Sequence, residues 1–195
     1  DILSRKLNIS DFGLIFAGAQ KNLGPSGVTV VIVKNDLLSR SDKNLPSMLN
    51  YNLHVENRSF YNTPPCFGIY MIGLMMDWIK QQGGLSVIEQ RNKIKAEKLY
   101  EFIDSSSFYY CPTDEGSRSL MNVVFRVTGD SEKLEKIFVQ ESSEKGFSGL
   151  KGHRSVGGLR ASMYNAQTEE AVDALLDFMA NFQTKYANEL TKINV

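Results

Sequence analysis

Lys21 stands in a short turn between two apolar runs, in the stretch FAGAQKNLGPSGVTVVIV. Gly18, Gly24, Pro25 and Gly27 surround it, so the backbone near the lysine is predicted to bend tightly. An amine held in such a turn can form a Schiff base with an aldehyde. A P-loop would place its lysine directly after the second glycine and before Ser or Thr, which this turn does not do. The turn is also compatible with a plain hairpin whose lysine faces solvent.

A second candidate site is the stretch LKGHRSVGGLRASMYNA, which carries His153, Arg154 and Arg160. Arginine binds carboxylate and phosphate groups through two parallel hydrogen bonds. Because Gly157 and Gly158 separate the two arginines, we expect these to lie on a loop and on the strand after it, facing different groups. An exposed basic loop with a surface histidine is the alternative interpretation.

Asn62 and Thr63, in RSFYNTPP, come just before a long apolar stretch that is predicted to be helical. Free backbone N–H groups at a helix N-terminus attract anions. Thr63 is the predicted N-cap, Pro64 the first helical residue, and Gly83-Gly84 the end of the helix. Because this helix is apolar nearly all round, we expect it to be buried. Helix capping alone is the alternative explanation and needs no ligand.

Around these candidates the sequence predicts an α/β first part and a compact α+β second part. Residues 13–19 and 27–33 are predicted to be buried strands, and residues 35–62 a partly irregular excursion. A charged helix over residues 86–104 is expected to lie on the surface or to bridge two domains. The remaining elements are, in order, strands in FYYCP and SLMNVVFRV, an amphipathic helix in SEKLEKIFVQESSEKG, strands in FSGLKG and GGLRASMY, and a closing helix with Thr168 as its N-cap. The predicted domains are residues 1–85, the connecting helix 86–105, and residues 106–195.

The composition is that of an ordinary globular protein. The 195 residues are 42% apolar and 23% charged, with a formal net charge of zero. No role on nucleic acid or on a membrane surface is therefore indicated, and the longest apolar run, CFGIYMIGLMMDWI, is too short and too interrupted to cross a bilayer. Two cysteines in a chain of this length do not indicate a disulfide scaffold and favour a reducing, cytoplasmic compartment. No metal centre is predicted.

Taken together, AGAQKNLGPSG, FYNTPP and KGHRSVGGLRASMYNA, in this order, resemble the C-terminal half of the phosphoserine aminotransferase family. That family belongs to class V of the fold-type I pyridoxal-phosphate enzymes. The resemblance runs along essentially the entire chain. It implies part of a large α/β domain, with a mixed, mostly parallel sheet and helices, followed by a small α+β domain. Lys21 would then lie between a parallel strand and the antiparallel strand after it.

The resemblance also implies a role for each candidate residue toward the cofactor and the substrate. Lys21 would bind pyridoxal phosphate as a Schiff base, and Gln20 would contact the cofactor phosphate. Asn62 and Thr63 would reach that phosphate from the neighbouring subunit of a homodimer, so that the site is shared between subunits. Arg160 would bind the α-carboxylate of the substrate.

The substrates that the resemblance implies are phosphoserine with 3-phosphohydroxypyruvate and glutamate with 2-oxoglutarate, in L-serine biosynthesis. His153 and Arg154, from the neighbouring subunit, would bind the substrate phosphate or the side-chain carboxylate of glutamate. The freed amine of Lys21 would act as the general base at the substrate α-carbon.

The chain opens with DILSRKLNISDFG and without Met, so we expect it to be a fragment. In the family the N-terminal half supplies a glycine-serine phosphate cradle, an aromatic residue that stacks on the cofactor ring, and an aspartate that pairs with the pyridinium nitrogen. That aspartate belongs upstream, so Asp1 does not have this role. We expect this polypeptide alone not to be a competent transaminase, and we expect its large-domain strands to have unpaired edges.

Three alternatives stay open. An alanine- or serine-type aminotransferase of class V would not need His153 and Arg154. A cysteine desulfurase usually carries His-Lys where this chain has Gln-Lys, and it needs a cysteine in a mobile loop. Cys66 stands instead at a predicted helix start and Cys111 in a predicted strand. The chain could also be a non-catalytic dimerisation module.

Overall fold

A computed structural model describes residues 2–42, 44–129 and 132–193 of the chain. It divides into two compact units, Asp1–Ser86 and Val87–Val195. Asp1 and Ser131, the first residue of the predicted amphipathic helix, lie outside the described residues.

The first unit contains two antiparallel strands, β1 (Leu14–Gly18) and β2 (Thr29–Val33), which pair from Leu14 opposite Val33 to Gly18 opposite Thr29. The prediction of two strands joined by the lysine turn is confirmed. The prediction that they are buried is wrong, because every residue of both strands is half-buried or exposed. Phe16 is 74% exposed. Within the described residues these strands form a two-stranded sheet, so each has one unpaired edge and no parallel neighbour.

The excursion after β2 is partly helical. It contains α1 (Asn35–Leu38) and α2 (Tyr51–Glu56), and a 3-10 turn at Ser47–Leu49 separates them. The long helix α3 follows at Cys66–Gln81. It ends, as predicted, at two glycines in the left-handed region, where the N–H of Gly84 bonds the carbonyl of Ile79 at 2.9 Å.

The predicted start of α3 is wrong by two residues. Its N-cap is Pro65, and its first helical residue is Cys66, so Thr63 is not the cap and Pro64 is not the first helical residue. Each of these two residues precedes a proline, whose ring disfavours the helical conformation of the residue before it. The double proline therefore delays the helix until after Pro65.

The burial predicted for α3 is also wrong. Only Gly68 and Ile79 are buried in this helix, whereas Phe67 is 71% exposed and Tyr70 is 64% exposed. The apolar sequence is as expected, but the described residues of the first unit offer little to cover it. Their buried apolar side chains are Ala19, Leu23 and Ile79.

The second unit has a three-stranded antiparallel sheet in the order β3-β4-β5, formed by Tyr109–Tyr110, Asn122–Val127 and Leu159–Ser162. Its helices are α4 (Leu85–Ser105), whose first two residues belong to the first unit, α5 (Glu132–Glu144) and α6 (Glu169–Ile193). These elements match the predicted ones with two corrections. FSGLKG contributes a single bridge from Lys151 to Leu159 rather than a strand, since glycines at 146 and 149 have positive φ. Cys111 follows β3 rather than lying in it.

The core of the second unit lies between one face of this sheet and the helices. Val123, Phe125 and Val127 alternate inward along β4. The ring of Phe138 from α5 contacts Phe125 and Phe182 edge-on, with centroids 5.8 and 5.0 Å apart. The charged helix α4 lies at the surface, as predicted, but buries one face in this core.

Thr168 caps α6 as predicted. Its hydroxyl oxygen accepts a hydrogen bond from the N–H of Ala171 at 3.2 Å. The backbone N–H of Glu170 and the Thr168 hydroxyl lower the pKa of the Glu170 carboxyl, as expected for an acid at a helix N-terminus. Among the helices described, none combines the length and apolar character that crossing a membrane requires.

Candidate functional site

Lys21 begins a 3-10 turn, Lys21–Leu23, directly beyond the end of β1. Asn22 and Leu23 are buried and anchor the turn, while Lys21 and Gln20 are exposed. Lys21 has a φ of 55°, in the left-handed region that residues other than glycine rarely adopt. Such backbone conformations persist only where the surrounding structure fixes them, and they concentrate at functional sites. The lysine is therefore presented from a fixed backbone.

Asn62 and Thr63 lie in the exposed segment before α3. The side-chain amide of Asn62 donates to the Thr63 carbonyl at 3.2 Å. Asn62 lines a cavity of about 810 Å³ together with Gly27 and Val28, which lie on the far side of the turn that Lys21 begins. Lys21, Gln20 and Thr63 do not line this cavity. The structure thus brings Asn62 to the lysine hairpin without bringing it into one cavity with the lysine.

A glycine allows α3 to approach this hairpin closely. A Cβ atom at Gly68 would lie 2.7 Å from Cγ2 of Val28, which is too short for two carbon atoms. The carbonyl of Val28 accepts the N–H of Ala19 at 2.7 Å and so closes the hairpin beside the lysine turn. The first turn of α3 is therefore packed against the end of the hairpin from which Lys21 projects.

Arg160 lies on β5, in the second unit, opposite Val124. The alternation of the two strands puts it on the sheet face that points away from the aromatic core. Its Nε atom is buried and has no hydrogen-bond partner within the described part of the chain. Since leaving a buried charged donor unpaired is costly, this guanidinium suits an anionic ligand.

His153 and Arg154 lie together on the exposed loop before β5. Nδ1 of His153 accepts hydrogen bonds from the hydroxyl and the N–H of Ser155, at 2.7 and 3.3 Å. In the neutral ring this assigns the proton to Nε2, which is then a donor. Arg154 has no ion-pair partner among the described residues. The loop therefore presents donors, as an anion site requires.

Sequence reasoning missed Arg126, which shares the outward face of the sheet with Arg160. Nε of Arg126 donates to Oε1 of Glu135 at 3.1 Å, whereas Nε of Arg160 has no partner among the described residues. The signal was present in the sequence, because Arg126 alternates with the apolar residues of β4 and so had to face outward. Its partner on α5 could not be found without the fold.

The donor set fits a cofactor that carries an aldehyde and a phosphate. Lys21 supplies the amine, and Asn62 and Thr63 supply an amide and a hydroxyl before the N-terminus of α3. Gln20, next to Lys21, is exposed, so its side chain is accessible to a phosphate group.

Comparison with known proteins identifies the family. The family model described as aminotransferase class-V matches residues 1–175. A curated phosphoserine aminotransferase of Geobacillus kaustophilus is 56% identical over 188 residues, which are 96% of this chain and 52% of that protein. The chain thus spans about half the length of the curated relatives it matches.

Solved structures give the same result. A phosphoserine aminotransferase from Bacillus circulans subsp. alkalophilus superposes with a TM-score of 0.89 at 55% identity, over 95% of this chain and 51% of that one. A phosphoserine aminotransferase from Trichomonas vaginalis, described as PLP-bound, gives 0.84 at 40% identity, over 92% of this chain and 51% of that one. The predicted fold class, part of a fold-type I pyridoxal-phosphate enzyme, is confirmed. The chain belongs to the class-V aminotransferase family.

Proposed function

We propose that the chain is part of a pyridoxal-phosphate-dependent phosphoserine aminotransferase. The enzyme would transfer the amino group of phosphoserine to 2-oxoglutarate, which gives 3-phosphohydroxypyruvate and glutamate, and would catalyse the reverse reaction. This reaction would belong to L-serine biosynthesis in the cytoplasm. The observation that supports this most directly is the buried Nε of Arg160, which has no hydrogen-bond partner among the described residues. One carboxylate site and one phosphate site are what phosphoserine needs.

The candidate residues of this chain would have different roles toward the cofactor. Lys21 would hold the cofactor covalently, and Gln20, Asn62 and Thr63 would bind its phosphate. When bound, pyridoxal phosphate supplies an electron sink for the substrate α-carbon. The freed amine of Lys21 would move a proton at that carbon as a general base.

Arg160 would fix the substrate by its α-carboxylate, which both substrates share, through two parallel hydrogen bonds. His153 and Arg154 would bind the phosphate of phosphoserine or the side-chain carboxylate of glutamate. Leaving these cations unpaired would disfavour a neutral substrate such as alanine by on the order of 2–5 kcal/mol.

The assembly and the domain limits are also proposals. The enzyme would be a homodimer in which Asn62, Thr63, His153 and Arg154 act in the site of the neighbouring subunit. Residues 1–85 would complete the cofactor-binding large domain, residues 86–105 would connect, and residues 106–195 would form the small domain. Two findings support these domain limits within a longer enzyme: the chain matches the class-V family, and it spans about half the length of its curated relatives.

Transamination by the full-length protein to which we expect the chain to belong tests the proposal. We expect conversion of phosphoserine with 2-oxoglutarate to be much faster than that of alanine. Lys21→Ala should abolish it and should also abolish the borohydride-stable attachment of pyridoxal phosphate to this peptide, detected by mass spectrometry. Lys34→Ala, at an exposed lysine of the same unit, is the control and should change neither.

Two outcomes would overturn the proposal: comparable rates with alanine and phosphoserine, or turnover that survives Lys21→Ala. The 195-residue chain alone should not turn over phosphoserine.

A further inference from the structure

The loop that carries His153 and Arg154 is closed at its base. The N–H of Gly152 bonds the carbonyl of Gly158 at 2.8 Å. Inside the loop the carbonyl of His153 accepts the N–H groups of Val156 and Gly157 at 2.9 and 2.8 Å. The backbone of the loop is therefore compact, and its position depends on what its base rests on.

The base rests on the side chain of Arg126. A Cβ atom at Gly158 would lie 3.1 Å from Cγ and 3.4 Å from Nε of Arg126, and 3.2 Å from the carbonyl oxygen of Phe125. Gly158 has a φ of 69°, so both its conformation and its contact favour glycine. The aliphatic and guanidinium parts of Arg126 thus lie directly against the loop base.

Arg126 is itself held in place by Glu135 on α5. Its Nε and one terminal nitrogen reach the two carboxylate oxygens at 3.1 and 3.5 Å. Glu135 is buried, and the Arg126 side chain is 24% exposed, so solvent competes little for this pair. Both residues line a cavity of about 700 Å³ together with Gly152, His153 and Arg154.

Other charged groups in this cavity are less constrained. Glu132 and Lys136 pair with each other at 3.6 Å, and both are mostly exposed. Lys151 is exposed at the loop base. The buried ion pair is therefore the one fixed charged element beneath the loop among the described cavity residues.

We propose that Arg126 and Glu135 are positioning residues that set where the loop presents His153 and Arg154 to the phosphate of the substrate. This inference rests on the proposed function. The pair does not touch the substrate. It acts through Gly158, because a shift of the guanidinium moves the base of the loop.

The test uses Arg126→Lys and Glu135→Gln in the full-length protein. Lysine keeps the charge but lacks the planar fork, and glutamine keeps the shape but lacks the charge. We expect KM for phosphoserine to rise between about tenfold and about hundredfold, with kcat changed little, since displacement of a binding group by about an ångström has effects of this size. The rate with serine, which lacks the phosphate, should not change.

A matched control exists in the same unit. Arg118 pairs with Asp104 through two hydrogen bonds of 2.6 and 2.8 Å, so Arg118→Lys disturbs a similar ion pair away from the loop. It should leave KM for phosphoserine unchanged. Equal losses with serine and phosphoserine, or loop-pair variants that behave like Arg118→Lys, would overturn the inference. A wild-type protein that does not use phosphoserine would instead overturn the proposed function.

Discussion

The ammonium nitrogen of Lys95 lies 2.9 Å from the carbonyl oxygen of Gln167, inside the second unit. It also reaches the carbonyls of Tyr164 and Met163 at 3.0 and 3.4 Å, and the side chain is only 1% exposed. The three carbonyls belong to the segment between β5 and α6, so α4 holds the chain that follows the Arg160 strand. Desolvation lowers the pKa of Lys95 to about 8, although the nearby charge of Glu169 opposes this shift.

This lowered pKa predicts an unusual dependence of stability on pH. Between about pH 8 and pH 10.5 the unfolded chain holds a proton on Lys95 that the folded chain has released. The free energy of unfolding should therefore rise with pH across this range, by on the order of 2–3 kcal/mol relative to Lys95→Met. Urea unfolding of both proteins between pH 7 and pH 10.5 measures the difference.

Lys98, on the same helix, supplies the control for this prediction. A hydrogen bond to Asp173 raises its pKa, and its side chain is exposed. Its stabilising effect is fully present below pH 10.5, so Lys98→Met should not remove the rise between pH 8 and pH 10.5. If the free energy of unfolding changes with pH in the same way for the wild-type protein and Lys95→Met, the rise does not come from Lys95.

Gly152→Ala tests whether the loop needs its closed base. The added Cβ would lie 1.9 Å from the carbonyl oxygen of Gly157 and 2.6 Å from that of Gly158, so the loop must open. We expect a loss of stability of about 1–3 kcal/mol, as for other overpacked sites, and weaker binding of phosphoserine by the full-length protein. Gly116→Ala, where no atom of the described residues lies within 4 Å of the new Cβ, should change neither quantity.

The start of α3 shows how far local sequence rules reach. The apolar stretch and its terminal glycines correctly predicted one long helix with a defined end. The N-cap rule failed at Thr63, because two successive prolines outweigh a favourable capping side chain. The conformational restriction before each proline affects the start of the helix more strongly than one capping hydrogen bond does. The sequence NTPP already shows both prolines.

Burial was harder to predict than secondary structure. Phe16 and Phe67 belong to apolar segments, yet both are largely exposed here, because burial depends on what else packs on the segment. Lys95 was missed for the opposite reason, since its helix is charged overall. Its spacing, seven residues after Ile88 and four before Leu99, places it on the buried face and could have revealed it.

The roles assigned to the candidate site residues remain predictions. The sequence correctly separated a lysine turn from a strand with an arginine, since glycines and β-branched runs determine both locally. It could not reveal that Arg126 is neutralised by Glu135 while Nε of Arg160 lacks a partner in the described part of the chain. That difference arises because α5 places Glu135 beside Arg126.

Arg160 and Arg126 should therefore respond oppositely to replacement by methionine. Arg160→Met removes a buried Nε donor for which the described residues supply no partner, so we expect stability to be unchanged or higher, while the full-length protein loses affinity for both phosphoserine and glutamate. Arg126→Met leaves Glu135 buried without its partner and should cost about 2 kcal/mol or more. Denaturant unfolding and steady-state kinetics measure the two effects. Equal destabilisation by the two variants would argue against an unfilled anion site at Arg160.

Arg58 offers a last prediction, on the first unit. It follows α2 with a φ of 51°, in the left-handed region that costs a non-glycine residue roughly 1–2 kcal/mol. Arg58→Gly relieves this cost but adds conformational entropy to the unfolded chain, so we expect a net gain in stability of about 0.5–1 kcal/mol. Asn57→Gly is the matched control one residue earlier. Asn57 has a φ of −94°, and its side chain donates to the Leu53 carbonyl at 2.8 Å, so glycine there should lower the free energy of unfolding. Thermal unfolding that ranks Asn57→Gly above Arg58→Gly would show that the left-handed backbone at Arg58 is not strained.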